Sequence, residues 1–148
     1  MFFCDKHYVL AIAGALLLWV ILSWLNNLTF SMHWVVASPL LFLSLIMLQP
    51  LLEEMVFRGL LQGWLIQQSW GKGAVVGITR ANITVTLLFV SMHLFYHPPL
   101  MALAVVIPSL LFGYFRDRYD GWLLPSIFLH IYYNVGYFML YNPITGTN

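Results

Sequence analysis

Charge is what this chain has least of. Six basic and five acidic side chains are all it carries in 148 residues, 7% of the total, against roughly 25% in an ordinary soluble domain. That scarcity excludes a solvated globular surface. A formal net charge of +1 offers nucleic acid no basic field and points to no acidic partner. Cysteine is almost missing too. Cys4 is the only one, so no internal disulfide can form and the redox compartment is not written in the sequence; Cys4 reads as a terminal residue without an assigned role. There are no internal repeats and no low-complexity tract. No His-Glu-x-x-His helix motif occurs. No small-residue cleavage pattern follows the first apolar stretch, which is also too long for a signal-peptide core. At 148 residues there is no room for a soluble module, and the chain reads as a single transmembrane domain, 1–148.

What is present is apolar: 61% of the residues are hydrophobic. Five stretches approach the roughly 20 residues that a helix needs to cross a bilayer. They are Tyr8–Leu25, Val35–Arg58 or beyond, Ala81–Phe95, Leu100–Phe115 and Trp122–Leu140. The expected fold is therefore an all-α integral membrane protein, a bundle of about five transmembrane helices. His97-Pro98-Pro99 reads as a tight turn between the third and fourth, because proline ends helices. Glu53, Glu54 and Arg58 lie inside an apolar block. The remaining charges, Asp5, Lys6, Lys72, Arg80, Arg116, Asp117, Arg118 and Asp120, all fall on one side of a five-span arrangement. The positive-inside rule then puts the N-terminus in the cytoplasm and the C-terminus outside. Trp64, Trp70 and Trp122 near that face fit an interfacial belt.

The second stretch is too long. Trp34 to Ile66 is 33 residues, about 50 Å of helix against a hydrocarbon core of roughly 30 Å. It must tilt, kink or run along the interface, and Pro50 supplies a kink one turn before the glutamates. Gly59 and Gly63 form a small-xxx-small pair whose plain reading is close helix packing.

Three patterns place polar chemistry at membrane depth, where ionisable groups mark a functional site. They are Glu53-Glu54-x-x-x-Arg58, Phe89-x-x-x-His93 and His130-x-x-x-Asn134. Counted from the flanking charges or tryptophan, His93 lies about 20 Å in, and His130 and the glutamates about 15 Å in. Arg58 stands four residues after Glu54, the favoured pairing distance, so Glu54 is the carboxylate held ionised. Glu53 points about 100° away around the axis and suits a general base, burial raising its pKa towards neutral. His93 can share a water with Glu53. His130 and Asn134 can donate hydrogen bonds to a developing oxyanion. Base, water holder and oxyanion donors suffice for water attack on an amide.

This set of motifs resembles the CPBP intramembrane proteases, which include the CAAX prenyl endopeptidases and the bacterial Abi or bacteriocin-processing proteins. The resemblance rests on Glu53-Glu54-x-x-Phe57-Arg58-Gly59, Phe89-x-x-x-His93 and His130-x-x-x-Asn134 in that order, and covers about Pro39 to Leu140. It implies a metal-free glutamic endopeptidase in which Glu53 and His93 activate water. His130 and Asn134 would stabilise the oxyanion, with Glu54 and Arg58 accessory. The substrate would be a membrane-anchored protein or peptide, the setting a lipid bilayer, and the location a prokaryotic plasma (inner) membrane. The chain is near the minimal core of such proteins, and small bacterial members of this kind also resemble proteases of protein-sorting systems that trim C-terminal membrane anchors.

Other readings of the same residues stay open. Glu53, His93 and His130 could hold zinc as a metalloprotease site, although Asn is a poor zinc ligand. Glu53, Glu54 and Arg58 could be a buried ion-pair network that fixes helix packing. His93, His130 and Asn134 could be polar glue between spans. A proton-coupled carrier or a non-catalytic scaffold or immunity protein could use the same groups. Phe89 reads as packing; His7, His33 and His97 read as interfacial. The sequons at Asn27 and Asn82 read as chance matches. Oligomeric state leaves no mark in the sequence.

Overall fold

The computed structural model describes residues 2–144. After a short 3-10 turn, Phe2–Cys4, the chain forms α1 (Lys6–Asn26), α2 (His33–Ala37) and α3 (Pro39–Leu65). A small hairpin follows, β1 (Ala74–Val75) and β2 (Ile78–Thr79). Then come α4 (Arg80–His93), α5 (Pro99–Ala104), α6 (Val106–Arg118) and α7 (Leu124–Leu140). Helices sit at all five expected stretches. Three of them, Lys6–Asn26, Pro39–Leu65 and the joined Pro99–Arg118, are long and apolar enough to cross a membrane. At 14 and 17 residues, α4 and α7 are shorter than the roughly 20 that a full crossing takes.

Local sequence explains the boundaries. Asp5 caps α1, its Oδ1 accepting the His7 N–H at 2.9 Å, and Asn27 ends it in the left-handed region at φ 51. The long second stretch, expected from Trp34 onward as one over-long helix that tilts, kinks at Pro50 or runs along the interface, is not one helix. It breaks at Ser38, which takes φ −144 and ψ 70, because the ring of Pro39 crowds a helical residue before it. From Pro39, α3 runs on for 27 residues, about 40 Å. Its winding widens twice to i→i−5 hydrogen bonding, over Leu43–Leu48 and Met55–Gln62. The hairpin between α3 and α4 was not anticipated. Its strands pair Ala74 with Thr79 and Val75 with Ile78. Val76 and Gly77 both have positive φ, 52 and 78, the type I′ pattern that two-residue hairpins need. Thr79 then caps α4, its Oγ1 accepting the Asn82 N–H at 3.1 Å and donating to Asp117 Oδ2 at 2.6 Å.

The chain divides into two compact units. One takes everything up to Pro50 together with the stretch from Leu129 onward; the other is Leu51–Phe128. The first has an aromatic core. Ala15, Trp19 and Leu140 are buried against Leu22, Leu28, Tyr132, Tyr133 and Tyr141. Trp19 lies 4.9 Å from Tyr132, ring to ring, and Tyr133 Oη donates to the Ala11 carbonyl at 3.1 Å. The indole can lie this low because position 136 is glycine: a Cβ there would collide with Trp19. The second unit packs Phe57, Leu65, Ala81, Val85 and Phe89 together, and beside them it buries a set of polar side chains.

Candidate active site

The second half of α3 carries Glu54, Arg58 and Gln62, each 0% exposed. Four-residue steps on an α-helix drift by about 40° each. The wider winding over Met55–Gln62 removes much of that drift and keeps the three on one stripe. Arg58 is the hub. Its Nη1 stands 3.2 Å from Glu54 Oε1. Its Nη2 donates to the Ser109 carbonyl at 3.0 Å and to Ser109 Oγ at 2.7 Å. The guanidinium lies 4.9 Å from the Phe89 ring centroid and 5.5 Å from that of Phe112, where the ring faces favour a cation.

From Arg58 a chain of hydrogen bonds runs in one direction. Ser109 Oγ donates to Thr86 Oγ1 at 3.0 Å. Thr86 Oγ1 donates to Asn82 Oδ1 at 3.3 Å. Asn82 Nδ2 donates to the Leu110 carbonyl at 2.9 Å. Gln62 Nε2 adds a bond to the Gly113 carbonyl at 3.0 Å. The path stays narrow because residue 113 has no side chain, where a Cβ would collide with the Asn82 carboxamide. Neighbours approach α3 closely at its own glycines too: a Cβ at Gly59 would meet Leu123 and one at Gly63 would meet Arg116, each at 3.2 Å. Asn82, fully buried and bonded on both carboxamide atoms, is no glycosylation acceptor.

Glu53 occupies a different face of the same turn. It is half-buried and acts electrostatically on the Arg58 guanidinium. His93, the last residue of α4, is half-buried. Its ring lies 4.4 Å from Phe89, and its Nδ1 is 2.9 Å from the Phe89 carbonyl. A carbonyl can only accept, so Nδ1 carries the proton and Nε2 of the neutral ring is the acceptor. The first and second motifs therefore meet at Phe89, whose ring centroid lies 4.9 Å from the Arg58 guanidinium and 4.4 Å from the His93 ring. Phe89 packs as expected, in the cluster with Phe57, Leu65, Ala81 and Val85. His97, exposed beyond the end of α4, stacks on His93 at 5.8 Å; desolvation first, and the His93 imidazole second, hold its pKa below the ordinary value.

The third motif lies on α7 in the other unit. His130 is 5% exposed. Asn134, one turn on, is half-buried, and its Nδ2 donates to the Leu45 carbonyl at 3.0 Å. Gln62, Asn82, Thr86, Ser109 and Ser126 are the buried polar residues among those described that motif reading missed. Their one sequence signal was polarity at four-residue spacing inside apolar runs: Arg58 and Gln62 on α3, Asn82 and Thr86 on α4. Among the described residues no group of three or more His, Cys, Asp or Glu side chains is placed to hold a metal ion.

Compared with known proteins, the chain matches one family profile, described as type II CAAX prenyl endopeptidase, Rce1-like, over residues 34–136. That span takes in Glu53, Glu54, Arg58, His93, His130 and Asn134. No curated protein and no solved structure matches it.

Proposed function

The chain belongs to the Rce1-like type II CAAX prenyl endopeptidase family, and on that premise we propose that it is an intramembrane endopeptidase acting on a membrane-anchored protein or peptide by a metal-free, glutamic mechanism. Glu53 takes a proton from a water that also donates a hydrogen bond to His93 Nε2, as the water oxygen attacks the scissile carbonyl carbon. His130 and Asn134 donate hydrogen bonds to the oxyanion that forms. The proton then passes to the departing amine nitrogen as the C–N bond breaks. Glu54 does not take part directly; with Arg58 it fixes the helix turn that presents Glu53.

The observation that carries this reading is the commitment of His93 Nδ1 to the Phe89 carbonyl. It leaves Nε2 as a proton acceptor on a ring linked through Phe89 to Arg58, four residues from Glu54 on the glutamate-bearing helix. The one-sided distribution of charge supports five crossings with a cytoplasmic N-terminus and an outer C-terminus; the membrane in this proposal is a prokaryotic plasma membrane.

The test is cleavage of a panel of membrane-anchored peptides, prenylated and not, by purified protein. Glu53→Ala, His93→Ala and His130→Ala should each lower kcat by about 10²-fold or more, and a chelator should leave wild-type turnover unchanged. Full activity in Glu53→Ala would remove the proposed base. Loss on chelation with recovery on added zinc would replace this mechanism by the metal one.

A further inference from the structure

The hydrogen bond from Asn134 to Leu45 has a cause in the helix it meets. Over Leu43–Leu48 the backbone of α3 bonds i→i−5, and the Gln49 N–H reaches the Ser44 carbonyl. The next rung of that ladder would bring the N–H of residue 50 to the Leu45 carbonyl. Residue 50 is proline, fully buried, and has no N–H to give. The position that a backbone donor would occupy is taken by a side chain: Asn134 Nδ2, at 3.0 Å.

We propose that Pro50 is a positioning residue for the reaction, and that its missing N–H is what orients the Asn134 carboxamide. This inference rests on the proposed protease reading, in which Asn134 serves the oxyanion. An amide nitrogen carries two hydrogens. One is held by Leu45, which fixes the plane and rotamer of the carboxamide. The second keeps a set direction and is ready to donate without reorganising, the condition under which such a donor lowers a barrier most. With any other residue at 50, the backbone N–H competes for the Leu45 carbonyl and the carboxamide is released. A kink is then not the only use a proline can have here. Another is to open one backbone acceptor towards α7, three residues before Glu53.

Two readouts separate the lock from the reaction. In protein labelled with 15N-asparagine, the side-chain NH2 pair that disappears in Asn134→Ala should show one slowly exchanging, downfield hydrogen in the wild type without substrate. In Pro50→Ala that hydrogen should move to the position of a free carboxamide. Peptide cleavage by Pro50→Ala should lose about 10²-fold in kcat, the scale of a misplaced catalytic group, with KM within about threefold of wild type. The double variant Pro50→Ala/Asn134→Ala should be no slower than Asn134→Ala alone, because both act through one carboxamide. A freely exchanging Asn134 NH2 pair in the wild type would overturn the lock, and that spectrum decides the matter even where Pro50→Ala does not fold. Wild-type kcat in Pro50→Ala, or losses that multiply in the double variant, would overturn its part in the reaction. A chain with the expected NMR signature but no cleavage of any peptide would instead count against the protease reading.

Discussion

Around Trp19 the first unit sets rings against rings; around Arg58 the second sets a guanidinium against a carboxylate, hydroxyls and a carbonyl. Both cores sit in a chain with almost no charge to spend. In the aromatic core, shape is the specifying property, and any arrangement that fills the volume costs little. In the polar core, each donor needs its acceptor, and a slip of one residue strands several groups where water does not replace them. The region that must hold a glutamate turn in register is thus the one built from directional bonds. The region built from rings tolerates adjustment.

That contrast can be broken or sharpened by substitution. Arg58→Met removes the cation beside the buried Glu54 and should destabilise by about 3–5 kcal/mol; thermal unfolding in detergent reads it. Glu54→Gln on top should recover part of the loss, and an Arg58→Met protein as stable as wild type would show the polar core to be dispensable. Next in size are two glycine variants, Gly113→Ala and Gly136→Ala, each overpacking by about 1–3 kcal/mol. They should differ in rescue. Trp19→Leu makes room for the methyl added at position 136 and should restore stability. Asn82→Ala makes room for the methyl added at position 113 and should not, because it unbonds Leu110 and Thr86. Equal rescue would erase the distinction between the cores. Thr86→Val cuts the hydrogen-bond chain at its middle and should cost about 1–3 kcal/mol. The smallest effect lies outside both cores. Val76 is β-branched, almost fully exposed and held at φ 52, so Val76→Gly should stabilise by about 1 kcal/mol or less once glycine's added freedom is offset. A destabilised Val76→Gly would mean that the side chain itself makes a contact that matters.

Much of this was legible in the sequence, for physical reasons that also explain the gaps. Apolar runs mark helices, and each of the five expected stretches holds helix, three of them long and apolar enough to cross a membrane. The Glu54–Arg58 pair follows from four-residue spacing alone. Ser38 was passed over, although a residue before proline is a standing signal for a break. The hairpin hid behind Val76, a residue no turn rule favours at positive φ. Ser109 and Thr86 were passed over because an isolated hydroxyl in an apolar run has the same sequence signature whether it bonds a neighbouring helix or its own backbone. The partner of Asn134 was beyond pattern reading altogether: it is created by the widened winding ahead of Pro50, and a period of 3.6 carries no trace of that.

The ion-pair hub has a consequence for how the protein is made. Arg58 bonds to Ser109, 51 positions later in the chain. Ribosomes add roughly 5–20 residues per second, so α3 leaves the exit tunnel several seconds before its partner exists. Within α3 Arg58 already faces Glu54, but the Ser109 carbonyl and hydroxyl that complete its bonding are still to be made, and a charged side chain in a membrane-spanning segment opposes insertion by about 2.5–3.5 kcal/mol. The Glu54 pair is therefore what α3 has to offset that cost until α6 is synthesised.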